Sequence, residues 1–162
     1  MQIKITNQKG KKFDAVIRYA DAEDLNSLHD WKFDWSALYT DDSIFFKLSY
    51  NSQIQGIIKL EEENDQYYVL KNIEVAPSNY GSKGKYKGIA EALISFACLK
   101  SFELNEGGYR GFLVFTTKGV LIDYYQKKYG AELIYRDRML INPEKGKELI
   151  LNYLKIDLTN EK

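Results

Sequence analysis

From Ser43 to Val75 apolar and polar positions alternate with a period of two, broken by short polar stretches. Ile44, Phe46, Leu48 and Tyr50 fall on one side of a first segment, Asn51-Ser52 turns the chain into residues 53–60, and Glu61–Asp65 turns it again into 66–75. A period of two is strand spacing, and short polar breaks join antiparallel neighbours, so a three-strand meander is predicted. Ahead of it, Phe13–Ala20 is a candidate strand after the polar turn Asn7–Lys12, and Asp21 or Asp24 can cap a helix running to about Asp30. Trp31, Trp35 and Tyr39 recur at i, i+4 and i+8, the spacing of one helical face, which either packs on the core or walls an acceptor pocket.

Beyond Val75 the pattern changes. A Gly/Lys-rich loop runs into an apolar helix that begins near Gly88 and ends near Phe102, followed by a strand over Gly111–Phe115 and a helix carrying Tyr124, Tyr125 and Tyr129. Ala131–Ile141 supplies a short hairpin, and Asn142-Pro143 is an N-cap and first-turn pair for a C-terminal helix containing Leu149, Leu151 and Leu154. A meander followed by helix, strand, helix and strand, without repeat or long linker, predicts a single α/β (α+β) domain over residues 1–162.

The chain of 162 residues is 44% hydrophobic and 28% charged, enough for a sizeable core. No apolar run approaches the roughly 20 residues of a membrane span, and Met1–Ile5 lacks the apolar core of a signal peptide, so a cytoplasmic protein is expected. One Cys and one His form neither an internal disulfide nor a structural zinc site, and no metal is expected. The formal net charge is zero, which disfavours nucleic acid as a partner. The Walker ending, the dinucleotide glycine spacing and the nucleophile elbow are all missing. Cys98 reads as core and the Lys9, Lys11, Lys12 cluster as a solvated turn.

The candidate chemistry lies in Asn72–Phe102. Gly81, Gly84 and Gly88 let backbone amides approach an anion, Lys83, Lys85 and Lys87 can neutralise it, and the following helix start adds exposed N–H groups. This is the composition of a site for a phosphorylated ligand.

Within that stretch, Lys85-Tyr86-Lys87-Gly88-Ile89-Ala90 resembles the acetyl-coenzyme A loop of the GNAT (Gcn5-related) N-acetyltransferases, where Arg or Gln is followed by two residues, Gly, one residue, and Gly or Ala. Downstream, Tyr124-Tyr125-Gln126-Lys127 with Gly130 is similar to that family's aromatic-Tyr-Glu-Lys…Gly segment. The resemblance covers Phe13 to about Asn142 and implies the GNAT fold, a mixed, mostly antiparallel sheet of six or seven strands flanked by helices, with the coenzyme in a splay between Gln66–Val75 and Gly111–Phe115. It implies acetyl-coenzyme A as cosubstrate, held by Ile73, Val75, Lys83, Gly84, Lys85, Tyr86, Lys87, Gly88, Ile89, Ala90 and Lys118. Lys85 replaces the family's Arg or Gln, Lys118 replaces its Asn, and Ala76–Gly84 contains an insertion.

The implied activity is N-acetyl transfer to a primary amine. Tyr125 matches the family's general acid, and a phenol of pKa about 10 can protonate a departing thiolate of pKa about 8.5. The backbone N–H near Val75 is the candidate donor to the thioester oxygen. Glu74 shares a strand face with Asn72 and is either the base for an ammonium of pKa about 10.4 or a surface glutamate. Expected partners are an amine acceptor, small molecule or protein, and a second copy of the chain; no membrane is expected. The alternative class is a non-catalytic GNAT-like module binding an acyl-coenzyme A or a protein.

Overall fold

The computed structural model describes residues 1–104 and 109–160. The period-two segments form strands: β1 Gln2–Asn7, β2 Lys12–Tyr19, β3 Ile44–Tyr50, β4 Gln53–Glu63 and β5 Tyr67–Val75. Between them, α1 spans Ala22–Asn26. The second half comprises β6 Tyr86–Lys87, α2 Ile89–Ser101, β7 Leu113–Thr116, α3 Ile122–Tyr129, β8 Glu132–Tyr135, β9 Arg138–Ile141 and α4 Pro143–Leu149. The strands form one sheet of nine in the order β6-β1-β2-β3-β4-β5-β7-β9-β8. β5 and β7 are parallel, which requires a crossover, and α2 lies in that connection.

The sheet exceeds the expected six or seven strands by β1 and β6. Ile3 and Ile5 alternate with polar neighbours in β1 and are buried, a signal present in the sequence. β6 has no signal of its own. Its two residues are a strand only because Thr6 and Asn7 of β1 pair with Lys87 and Tyr86.

The chain divides into two compact units, Met1–Lys59 with Asn72–Leu93, and Leu60–Lys71 with Ile94–Lys162. In the first unit, the register Ile3↔Ala15 and Ile17↔Leu48 puts a row of buried side chains on one sheet face. A separate cluster joins Leu25, Trp35, Phe45 and Ile57, with Leu28, Trp31 and Leu38 packed against it. α1 starts at a capping box in which Asp21 accepts from the Asp24 backbone and Asp24 accepts from the Asp21 backbone. It is shorter than the expected run to Asp30.

The helical face expected for Trp31, Trp35 and Tyr39 does not form; the segment holds a bend at residues 32–33 and a single turn at 35–38. Asp30 adopts φ 67, outside the helical region, and the next backbone N–H groups are taken by a carboxylate from β5 rather than by helix carbonyls. Trp35 is 1% exposed and Tyr39 is 45% exposed, so burial separates the two where one helical face would have united them.

The second unit follows the sequence expectation closely. Gly130, at φ 66, ends α3 by donating to the Gln126 and Tyr125 carbonyls. β8 and β9 are both present, joined across Arg136-Asp137, so the compact hairpin keeps its two strands. Asn142 caps α4 through its side chain at 2.8 Å from the Lys145 N–H, and a single π-helical turn, Ile150–Leu154, follows. Cys98 is fully buried, with Gly146 above it: a Cβ at that glycine would lie 3.5 Å from the Cys98 Cβ.

Gly111 holds the entry to β7 at φ +86, and a Cβ there would come within 2.7 Å of the Phe102 ring and 3.0 Å of Pro143. Gly111→Ala combines unfavourable φ with overpacking, at an expected cost of about 1–3 kcal/mol. Thermal denaturation should show this as a lowered Tm; an unchanged Tm would mean that the backbone reaches β7 by another path.

Candidate functional site

The end of β5 carries Ile73, Glu74 and Val75. Glu74 is 6% exposed, and its two oxygens accept hydrogen bonds from the Lys32 N–H at 2.7 Å, the Phe33 N–H at 2.9 Å, the Trp35 Nε1–H at 3.1 Å and the Tyr80 hydroxyl. Burial by itself would raise the carboxyl pKa; the bonds from Tyr80, Phe33, Lys32 and Trp35 outweigh it and hold the group below its ordinary value. Tyr80 is driven the other way, to about 12, by burial and by the carboxylate it donates to. A carboxylate so engaged is a holding group, poorly suited to accept a proton from an amine.

Val75 leads into Ala76, whose N–H donates to the Gln55 carbonyl at 2.8 Å, and into a 3₁₀ turn over Pro77–Asn79. Asn79 is the inner staple of the insertion. Its side-chain amide donates to Gln55 Oε1 at 2.9 Å, and its Oδ1 accepts from the Tyr86 N–H at 3.0 Å. Gly84 closes over it: a Cβ there would sit 2.4 Å from the Asn79 carbonyl oxygen. From β1's side, Gln8 Nε2 donates to the Lys83 carbonyl at 2.7 Å, and β6 then locks Tyr86 and Lys87 to β1. Tyr86 also packs its ring against Phe13 and Tyr50, at centroid distances of 5.7 and 5.5 Å. The insertion is thus internally bonded along its length, and it presents Lys83, Lys85 and Lys87 to solvent.

At the end of the loop Gly88 adopts φ +89, and nothing lies within 4 Å of where its Cβ would be. Gly88 directly precedes α2, whose Ala92 N–H makes the first helical bond to the Gly88 carbonyl at 3.0 Å. The N–H groups ahead of Ala92 at a helix start are the natural donors to an anion. Gly56 on β4 lets the helix start lie close to the sheet, since a Cβ there would meet Ile89 Cγ2 at 2.5 Å and Leu93 Cδ1 at 2.8 Å. Ile89 is buried and Ala90 partly exposed, so the small residue faces the open side. Lysines and exposed helix-start N–H groups so placed are the chemistry of an anion site.

In the second unit, the β5–β7 register runs Tyr68↔Leu113 to Leu70↔Phe115. Tyr125 on α3 is half-buried against Phe115, Tyr124 and Tyr129, at centroid distances of 5.0, 5.2 and 5.8 Å. Burial, and secondarily Tyr124, raises its pKa, so the phenol keeps its proton at neutral pH. Lys118 is exposed, and its carbonyl opens the turn into α3 by accepting from the Leu121 N–H at 2.8 Å.

No protein-family model matches the sequence, and no curated protein is similar to it by sequence. The fold gives the link. A GNAT family acetyltransferase from Elizabethkingia anophelis with acetyl-CoA bound superposes with TM-score 0.56 at 17% identity, over 78% of this chain and 95% of that one. This chain has the fold of the GNAT acetyltransferases. A chimera of the Vibrio cholerae spermidine N-acetyltransferase SpeG and hSSAT shares the GNAT fold with TM-score 0.56 at 16% identity, over 82% and 98% of the two chains. The KacTA protein, solved in a complex with DNA, does so with TM-score 0.60 at 13% identity, over 85% and 99%.

Within this GNAT fold the cradle gathers Lys83, Gly84, Lys85, Tyr86, Lys87, Gly88, Ile89 and Ala90 into one bonded loop after Ile73 and Val75. Tyr80, Asn79 and Gln8 have structural roles there that sequence reasoning missed or reduced to turn propensity. Their partners are remote in sequence, and only the fold brings them together. A polar cleft of about 810 Å³ opens in the first unit, lined by Arg18, Asp24, Trp31, Lys47, Gln55 and Ser78. Across it Lys47 and Asp24 pair at 2.7 Å.

Because the Glu74 pKa is lower in the folded chain than its unfolded value of 4.5, its contribution to stability is complete above 4.5 and is lost as pH falls through the folded value. Glu74→Gln should therefore cost about 1–3 kcal/mol at neutral pH, since one oxygen can no longer serve its donors. Urea unfolding at several pH values checks this: the gap between wild type and variant should narrow on acidification, and a gap independent of pH would show that the charge contributes nothing.

Proposed function

We propose that the protein is an acetyl-coenzyme A-dependent N-acetyltransferase acting on a primary amine. The observation that carries this proposal is the cradle at Gly88, a positive-φ glycine with open space at its Cβ, set at a helix start and flanked by lysines. The coenzyme's pyrophosphate fits the α2 N–H groups, with Lys85 in place of the usual Arg or Gln. In the transfer, the neutral amine nitrogen bonds to the thioester carbonyl carbon, the carbon–sulfur bond breaks, and the thiolate takes a proton. Tyr125 is the proposed donor of that proton, and its raised pKa keeps the proton in place until then. The Val75 N–H is the proposed hydrogen-bond donor to the carbonyl oxygen. With Glu74 bound to four donors, the amine's own proton is proposed to leave through water.

The engagement of Glu74 also supports a second reading, a coenzyme-binding module without turnover. Two variants separate the readings. Gly88→Glu, which places bulk and negative charge in the cradle, should abolish binding of acetyl-coenzyme A in calorimetric titration; retained binding by a folded variant would put the ligand elsewhere. Tyr125→Phe should lower acetyl transfer to an amine by about 10²–10⁴ with coenzyme affinity unchanged. Unchanged turnover would remove Tyr125 from the chemistry, and coenzyme binding by the wild-type chain with no transfer to any amine would favour the module.

A further inference from the structure

The chain has no formal net charge, yet segments 6–13 and 77–90 carry six lysines, Lys9, Lys11, Lys12, Lys83, Lys85 and Lys87, and no acidic residue. The β1–β6 pairing brings these segments together, with Thr6 standing between Lys12 on β2 and Lys87 on β6. At this corner a shallow cleft of about 400 Å³ is lined by Asn7, Gln8, Lys9, Ser78, Lys83 and Lys85. Its walls are fixed. Asn7 Oδ1 accepts from the Lys9 and Lys11 N–H groups at 3.0 Å each, Gln8 grips the Lys83 and Gly84 carbonyls, and the Lys85 N–H donates to the Ser78 carbonyl at 2.8 Å.

Like charges gathered on rigid backbone repel one another unless an anion joins them. Lys9 and Lys83 have no carboxylate partner among the described residues, while Lys85 lies over the Tyr86 ring, 5.4 Å from its centroid. Lys85 both lines this cleft and opens the six-residue loop that leads to the proposed pyrophosphate site at Gly88. The coenzyme's next anionic group is the 3′-phosphate of its adenosine, with a charge of about −2 near neutral pH.

We propose that Lys9, from the β1–β2 turn, and Lys83, from the insertion, form a binding site for the coenzyme's 3′-phosphate. This rests on the coenzyme reading above and adds to it a function for two elements beyond the six-residue loop. It also gives the Lys9, Lys11, Lys12 turn a ligand in place of mere solvation. The two lysines let the protein distinguish coenzyme A from dephospho-coenzyme A, which lacks that phosphate and keeps the pyrophosphate.

The test is calorimetric titration of the full chain with both compounds, for the wild type, Lys9→Ala, Lys83→Ala, the double variant and Lys4→Ala, which removes an exposed lysine elsewhere on β1. The wild type should prefer coenzyme A by about 10- to 100-fold, one or two charge-assisted hydrogen bonds. The double variant should lose that preference while holding dephospho-coenzyme A as before, each single variant should lose part of it, and Lys4→Ala should keep it. Equal wild-type affinities, equal loss for both ligands, or the same loss in Lys4→Ala would overturn the 3′-phosphate assignment with the coenzyme site intact. A wild-type chain that binds neither compound would overturn both the coenzyme reading and this assignment.

Discussion

A carboxylate removed from water keeps its charge only where hydrogen bonds replace its hydration, and Glu74 meets that condition by drawing donors from two separate parts of the chain. Lys32, Phe33 and Trp35 come from the long segment between α1 and β3; Tyr80 comes from the insertion after β5. The first segment has no helix or strand of its own, and the second only a 3₁₀ turn. Without the carboxylate, the Lys32 and Phe33 N–H groups would lack their acceptor and Trp35 its orienting bond. Trp35, bonded to Glu74, is also buried against Leu25, Phe45 and Ile57. One strand residue therefore ties the segment before β3 to the segment after β5.

The same economy governs the loop. A ten-residue step from Val75 to Lys85 would ordinarily be a floppy excursion, yet Asn79, Gly84 and Gln8 bond it internally and to β1. The consequence is electrostatic as well as mechanical. Lysines that would spread apart on a mobile loop stand on segments bonded together at one corner, in a chain whose positive and negative charges balance overall. Backbone bonded in this way has little conformational freedom left to lose when a ligand is bound, which is the physical basis of preorganisation.

Much of this architecture was legible from the pattern of positions. The meander, the α2 and α3 helices, the Asn142-Pro143 start of α4 and the cradle sequence all announce themselves through local periodicity, caps and glycines. Where the pattern misled, a distant partner had intervened. The i, i+4, i+8 aromatics looked helical because Trp31, Trp35 and Tyr39 have the right spacing, but Asp30 adopts φ 67 and the Trp35 indole is drawn to Glu74, far along the chain, while Tyr39 is left exposed. Glu74 itself read as either a base or a surface glutamate for the same reason: three of its four donors lie some forty residues upstream.

The sequence by itself determined the meander, the succession of elements from α2 to α4 and the position of the glycine-rich loop, since each rests on residues close together in the chain. Tertiary structure alone decided that Glu74 is an anchor, that Tyr86–Lys87 becomes a strand, and that the β1–β2 turn meets the insertion. These depend on hydrogen bonds and register between segments tens of residues apart, and such pairings leave no trace in local periodicity.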